Sequence, residues 1–326
     1  MLKDILTIFI PTFNRWDVLA QTLQNTLENN RVGVKVVILD NDSTHIGREK
    51  VQAVIARYSD KCVDVVKNPV NIGGDGNVLR CFELCNTPYV MVLGDDDDLE
   101  PDYLEKVERF LISNSDVGFI SFQVPRRYAK HVPRDEVFNS PYDMLQVSAN
   151  WAEMMFISTS IFNKDLVMLG FEQGQRHQIT CCAHLIALFK GWDASQQLSP
   201  KHSYQFVLAS EAIIASGGHA ADHRSYGVMG VLKGLSIVRS VFTTEPQASV
   251  VRKSIRGATR HIFKPRVLVK DFFYYTLEFG FFQSWRHLCR SRFDLMYLIG
   301  LRSVWYRPYL HLTVLTVGVW RAIFKK

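Results

Sequence analysis

The stretch YVMVLGDDDDLEPDYLEKV, Tyr89–Val107, is an apolar run that ends in four aspartates and continues past Pro101 with Leu104, Val107 and Leu111 at helical spacing. A continuous apolar run reads as a strand buried on both faces, and the pattern behind it as an amphipathic helix. The same grammar precedes it. Ile5–Ile10 is an apolar run stopped by Pro11, Trp16–Glu28 carries Val18, Leu19, Leu23 and Leu27 at helix spacing, and Val34–Leu39 is a second strand running into Asp40. A helix over Arg48–Tyr58, a strand at Val63–Val66, a Gly-rich loop at Asn71–Gly76 and a helix over Asn77–Leu84 lead to Tyr89. This alternation predicts an α/β fold with a mostly parallel, doubly wound (Rossmann-like) sheet. Ligands of such sheets bind outside the carboxyl ends of the strands. Thr12, Asn14 and Arg15, then Asp40–Ser43, then Asp95–Asp98 all fall there.

Downstream, the sequence predicts strands at Val117–Phe122 and Phe156–Phe162, a polar loop over Pro125–Pro141 and a short helix at His184–Phe189. Beyond Gly217 the strand signals stop. Helical patterns at Val228–Phe242, Ser249–Phe263 and Val267–Phe282 predict a helical appendage. The 326 residues, 47% apolar and 21% charged, exclude disorder and suit a body with a full core. The net charge of +6 is unevenly spread: residues 251–326 hold 15 Lys and Arg against 3 Asp and Glu, and residues 1–250 hold 23 against 29. The basic end is interleaved with aromatics, as in FFYYTLEFGFFQSWRHLCR, a pattern suited to an anionic membrane surface or to nucleic acid. The longest apolar stretch, Pro308–Trp320, falls short of the ~20 residues that span a bilayer. Six cysteines without a CxxC pair and a start without a secretory leader lead us to expect reduced thiols in a cytoplasm.

Three features carry chemistry. Adjacent carboxylates repel one another and are tolerated most easily around a cation, so Asp95–Asp98 fit a Mg²⁺ or Mn²⁺ ion shared with a diphosphate. The plainer alternative is an exposed acidic loop, or a helix N-terminal cluster in which Asp97 and Asp98 favour the dipole of the next helix. Asp40 can accept the imide N–H of a base or bond a ribose hydroxyl, although Asp-Asn-Asp-Ser is also good turn chemistry. The glycines of Asn71–Asn77 permit close backbone approach to a ligand or merely a tight turn. Trp151, Trp192 and Tyr204 could stack on sugars but suit a core as well, and Cys181 and Cys182 beside His184 read as buried thiols.

Taken together, TIFIPTFNR at Thr7–Arg15, VVILDNDST at Val36–Thr44, NIGGDGN at Asn71–Asn77 and the Tyr89–Val107 stretch resemble the successive blocks of family 2 glycosyltransferases of the GT-A fold. The flavour is that of bacterial O-antigen and capsule sugar transferases. The resemblance implies a catalytic domain over 1–217, with a nucleotide-sugar half over about 1–110 and an acceptor half over about 111–217. Residues 218–326 then form the basic, aromatic-rich region. It further implies that Pro11, Thr12, Asn14, Arg15, Asp40, Asp42, Asn71, Gly73, Asn77 and Asp95 bind the nucleotide sugar, and that Asp96 and Asp97 hold Mn²⁺ or Mg²⁺. The family's Asp-x-Asp-Asp falls on Gly94–Asp97, so its first acid is a glycine here. Its Arg shortly before Asn77 is replaced by Gly76. Inverting members present a Glu-Asp pair before a glycine in the second half, yet no acid lies between Glu172 and Asp193. His184, Glu153 and Asp193 are the candidates for the base.

The resemblance therefore implies an inverting, metal-dependent glycosyltransferase. Its donor would be a UDP-, dTDP-, GDP- or CDP-linked sugar and its acceptor a lipid-linked saccharide, with the enzyme cytoplasmic and peripheral on the inner face of the plasma membrane. No nucleic-acid partner is expected. A nucleotidyltransferase lacks its basic Gly-rich triphosphate signature here, and a nucleic-acid-binding protein leaves the four aspartates unexplained.

Overall fold

The structure is a computed structural model that describes residues 1–114, 116–123, 134–148, 151–200, 203–217, 228–262, 273, 276–277, 281–290, 311–313 and 315–317. The chain divides into two units, one of Met1–Ser148 and Ala152–Asp222, the other of Ala149–Trp151 and His223–Lys326.

In the first unit a short helix α1 (Leu2–Ile5) leads into β1 (Leu6–Thr12), and α2 (Trp16–Asn29), β2 (Lys35–Asp40), α3 (Arg48–Arg57) and β3 (Val63–Lys67) follow. Next come α4 (Gly74–Leu84), β4 (Tyr89–Val92), β5 (Asp97–Leu99), α5 (Tyr103–Ser113), β6 (Val117–Ser121) and β7 (Glu136–Phe138). The remainder is α6 (Pro141–Ser148), α7 (Trp151–Met154), β8 (Ser160–Asn163), α8 (Lys164–Leu169), α9 (Phe171–Arg176), α10 (Ala183–Leu198), β9 (Gln205–Leu208) and β10 (Ile214–Gly217). The main sheet has the order β3-β2-β1-β4-β8-β6-β9-β7. Strands β3, β2, β1 and β4 are mutually parallel and β6 is parallel to β9, whereas β8 runs antiparallel between β4 and β6, and β7 runs antiparallel to β9.

The period-2 alternation of the strands sorts the core into two layers. Leu6, Ile8, Ile10, Val36, Ile38 and Met91 share one cluster with Leu19, Leu23 and Leu27 of α2, Val51 and Val54 of α3, and Leu104, Val107 and Phe110 of α5. Phe162, one residue on from Ile161, faces the other way. Its ring meets Phe82 of α4 edge-on at 5.3 Å, Phe119 at 5.0 Å and His184 of α10 at 5.9 Å. Helices on both faces make the sheet doubly wound, as predicted.

Several local expectations are corrected. The helix predicted at His184–Phe189 runs from Ala183 to Leu198, because Gly191 continues it: a Cβ there would lie 1.9 Å from the Leu166 carbonyl oxygen, so glycine lets α8 and α10 touch. The predicted strand over Phe156–Phe162 begins only at Ser160, after a 3₁₀ turn at Ile157–Thr159. Helix α4 starts at Gly74 rather than Asn77. Asp97 and Asp98 are not a free acidic loop: with Leu99 they form β5, which pairs antiparallel with β10. Residues 125–133 of the predicted loop and most of the helix over Val267–Phe282 lie outside the described residues, and in the rest of that loop Glu136–Phe138 form strand β7 by pairing with β9.

In the second unit, α11 (Val228–Val241) and α12 (Gln247–Ile262) bury Leu235, Val238, Ala248, Val251 and Ile255 at helical spacing, and Phe242 meets Trp151 edge-on. Helix α13 (Phe281–Arg290) stacks Phe281 on Trp285, which meets His311 at 4.5 Å. Its Phe282 is 85% exposed, and Arg286, one turn on, is exposed too. Among the described residues no helix is long and apolar enough to cross a membrane.

Candidate active site

Three loops meet at the carboxyl ends of β1, β2 and β4. The first follows β1, where Asn14 adopts φ 55°, an αL conformation that Asn tolerates well. Asn14 ties this loop to the next: its amide donates to Ser43 Oγ at 2.8 Å, and its side-chain oxygen accepts from the Thr44 amide at 2.8 Å. Asp40 ends β2, is buried, and accepts the Ser43 amide at 2.8 Å, so one carboxylate oxygen is fixed by its own turn. Asp42, at φ 64°, pairs with Lys67 at 2.9 Å.

The acidic turn after β4 is held from two sides. Thr12 Oγ1 donates to Asp95 Oδ2 at 2.7 Å, and Arg15 reaches across 80 residues to bond Asp95 Oδ1 at 2.6 Å and Asp96 Oδ2 at 2.8 Å. The Thr22 hydroxyl donates to the Asp95 carbonyl. Burial pushes the Asp95 carboxyl up to about 6 even though Arg15 and Thr12 pull it down. On the far side, Ser158 Oγ donates to Asp97 Oδ2 at 2.5 Å and accepts the Gly94 amide at 2.8 Å. A Cβ at position 94 would lie 2.6 Å from Asp97 Oδ2 and 3.3 Å from Ser158 Oγ. A larger residue at the resemblance's first acid would push the Asp97 carboxylate from its place beside Ser158, and the acids available to a ligand begin at Asp95. Asp95 and Asp97 are buried and bonded, whereas Asp96 keeps 23% of its side chain exposed.

These residues fit a divalent ion held jointly with phosphate. The turn already carries a stand-in cation, the Arg15 guanidinium between two carboxylates. Among the described residues no three His, Cys, Asp or Glu converge on one metal position, and Mg²⁺-type sites built from one or two carboxylates plus substrate phosphates need no third.

The Gly-rich loop joins the same rim. Asn41 donates to Asn71 Oδ1 at 2.8 Å and to the Gly73 carbonyl at 3.2 Å, and Gly73 sits at φ 80°. Asn77 is buried, accepts from Asn68 and donates to the Leu39 carbonyl, so its side chain is engaged within the protein. Asp75, which the sequence did not single out, reaches 106 residues forward and accepts the Cys181 amide at 2.8 Å, with the Thr180 and Ala183 amides also bonded to it. It caps the entry to α10. Its burial outweighs those three bonds and pushes its carboxyl up to about 7.

Of the three base candidates, His184 bonds the backbone next to Glu153, and Asp193 stands away from His184. His184 is 3% exposed, its pKa is held down to about 4 by burial against the bond to the Met154 backbone, and its Nε2 has no partner among the described residues. Asp193 stands nine positions further along α10, roughly 13 Å at 1.5 Å per residue. It accepts from the Tyr142 hydroxyl at 3.0 Å and from Lys190 Nζ at 3.2 Å. Glu153 is partly buried in α7, and its carbonyl accepts the Phe156 amide two residues before Ser158, the serine bonded to the acidic turn. Ser158 escapes sequence reasoning because it stands in no recognisable pattern, and Asp75 because nothing in its Gly-rich block marks a contact 106 residues ahead. Trp151, Cys81, Cys85 and Cys182 are buried, in line with core residues, whereas Cys181, expected to be a buried thiol, is only half-buried.

Residues 7–166, which contain all three loops, match the family Glycosyl transferase family 2. Among individual relatives, abequosyltransferase RfbV of Salmonella typhimurium is 30% identical over 115 residues, 35% of this chain and 34% of that protein. The aligned part thus spans about a third of that relative's length. Two solved structures share the fold over 97% of this chain. One is the mannosyltransferase PcManGT of Pyrobaculum calidifontis in complex with GDP-Man and Mn²⁺, with TM-score 0.54, 15% identity and 87% of that chain covered. The other is S. aureus TarS 1-349 in complex with UDP-GlcNAc, with TM-score 0.57, 11% identity and 90% covered.

Proposed function

We propose that the protein is a metal-dependent, inverting glycosyltransferase that moves a sugar from a nucleoside-diphosphate sugar to a hydroxyl of a lipid-linked saccharide in surface-polysaccharide assembly. The observation that carries this reading is the joining of three strand-end loops through Thr12, Arg15 and Asp95, with Asp40 beside them. Asp40 would hold the base or ribose, and Asn14, Asp42 and the Asn71–Gly73 backbone would border the nucleotide. Asp96, flanked by Asp97, would hold Mn²⁺ or Mg²⁺, which when bound supplies positive charge to the departing diphosphate. Arg15 adds a forked donor of the kind that matches phosphate oxygens.

For the acceptor proton we favour Glu153. Its side chain is half-buried, and its backbone carbonyl accepts the amide of Phe156, two residues before the Ser158 that bonds the acidic turn. His184 is buried against Phe162, and Asp193 stands nine positions further along α10. The relative named as an abequosyltransferase supports an O-antigen type of product. The second unit, with Phe282 and Arg286 on one exposed face of α13, supports docking on an anionic bilayer surface.

The test is a donor panel. UDP-, dTDP-, GDP- and CDP-sugars are screened with Mn²⁺ for thermal stabilisation of the protein and for release of the nucleoside diphosphate. One donor class should stabilise and turn over only with metal. A chain that responds to none of the four classes would refute the reading.

A further inference from the structure

The acidic turn already has a cation, and that cation belongs to the chain. Arg15 spends both arms of its guanidinium on the turn, Nη1 on the buried Asp95 and Nη2 on the half-exposed Asp96. The two contacts are not equivalent. Asp95 is enclosed, its side chain 6% exposed, and its second oxygen is taken by Thr12. Asp96 sits at the rim, and Arg15 is its only side-chain partner among the described residues. A cation arriving from solvent therefore meets Asp96 first and finds one of its oxygens occupied by Nη2. Removing that single contact leaves Arg15 still anchored through Nη1.

We propose that Arg15 is a built-in competitor of the divalent metal: in the unliganded protein its Nη2 arm neutralises Asp96, and the metal gains that carboxylate only as the arm is released to the incoming diphosphate. This rests on the glycosyltransferase reading and adds an order to it. Phosphate oxygens offer the released arm a replacement acceptor, since guanidinium bonds phosphate as well as it bonds carboxylate. Without a diphosphate, metal binding strands that arm and is weakened. With one, metal and diphosphate each remove an obstacle to the other, so the two ligands bind with positive coupling, and the coupling is reciprocal.

The experiment measures Mn²⁺ binding to the full chain through the electron paramagnetic resonance signal of free Mn²⁺, with and without UDP, dTDP, GDP or CDP. Arg15→Gln keeps a polar side chain but removes the charge. Arg15→Lys keeps the charge but cannot bridge both acids. Without nucleotide, both variants should bind Mn²⁺ more tightly than the wild type, Arg15→Gln by roughly tenfold, the factor that one charge-assisted hydrogen bond represents. The gain that a nucleotide brings to Mn²⁺ binding should shrink in both, and Asp96→Ala should abolish the tight site in every background. If Arg15→Gln fails to fold, Arg15→Lys carries the comparison. Unchanged or weaker Mn²⁺ binding in the folded variants would overturn the competition while leaving the glycosyltransferase reading intact. Failure of all four nucleotides to enhance Mn²⁺ binding in the wild type, with no donor turned over, would instead remove the reading on which it rests.

Discussion

Asp75 gives the fold a pH dependence that a single substitution isolates. An unfolded aspartate ionises near 3.8, whereas burial beneath the entry of α10 raises this one to about 7. Between those values the folded chain holds a proton at Asp75 that the unfolded chain has lost. Stability therefore falls as pH rises, by about 1.4 kcal/mol per pH unit for one such group. The contribution is fully present below pH 4 and is lost as pH climbs through 7. Asp75→Asn titrates in neither state, and its side-chain oxygen can still accept the Cys181 amide. Urea unfolding of both proteins from pH 5 to pH 8 should show the wild type losing about 2 kcal/mol relative to Asp75→Asn between pH 5 and 7, then levelling off. The difference between the two proteins is the informative quantity, because His184 acts in the opposite sense. Its folded value of about 4 lies below the ordinary 6.5, so its contribution is lost as pH falls between those values. A wild-type-minus-variant difference that stays flat from pH 5 to 8 would refute the assignment of a buried, protonated Asp75.

Asp96→Ala should abolish turnover and metal-dependent donor binding with little change in melting temperature, because the side chain lies at a strand end and holds no core; isothermal titration with donor and Mn²⁺ checks both. Glu153→Gln should lower turnover by roughly 10²–10⁴-fold with donor affinity kept, the span of general-base contributions. His184→Ala should instead lose about 3 kcal/mol of stability by opening a cavity against Phe162, read from urea unfolding, with the residual folded enzyme active. The full chain should bind anionic vesicles at low salt, each basic residue near the surface adding about 1 kcal/mol before screening. Removal of residues 285–326 should weaken that binding while donor hydrolysis persists, and cosedimentation at two salt concentrations measures it.

The first half of the fold was legible because each element there is local and periodic. Leu19, Leu23 and Leu27 announce α2, and the run at Val36–Leu39 announces β2, whatever happens elsewhere. The second half resisted because its strands are short and are defined by their partners. Gln205–Leu208 becomes a strand by pairing parallel to β6 on one side and antiparallel to β7 on the other, and Ser160–Asn163 enters the sheet against the direction of β4. No periodicity in four residues encodes a direction. Helix α10 was cut short for a related reason. A glycine is ordinarily read as a stop, whereas Gly191 is required by the proximity of Leu166, a contact invisible along the chain.

The site shows the same division between pattern and contact. Asp40 and the four aspartates were readable because a strand that ends in carboxylates is unusual in itself. Their separate environments were not readable, since those depend on Arg15 80 residues away and Ser158 61 residues away, and these contacts leave Asp96 more open than its buried neighbours. Along the chain no acid lies between Glu172 and Asp193. In space, a carboxylate does reach that segment, carried there by the Gly-rich loop: Asp75 bonds the amides of Thr180, Cys181 and Ala183. Once those amides are taken, the carboxylate anchors the end of α10 that leads into His184, which in turn packs against Phe162 of β8. Substitutions in that loop should therefore be felt first as loosening of α10, and only then as changes at the nucleotide.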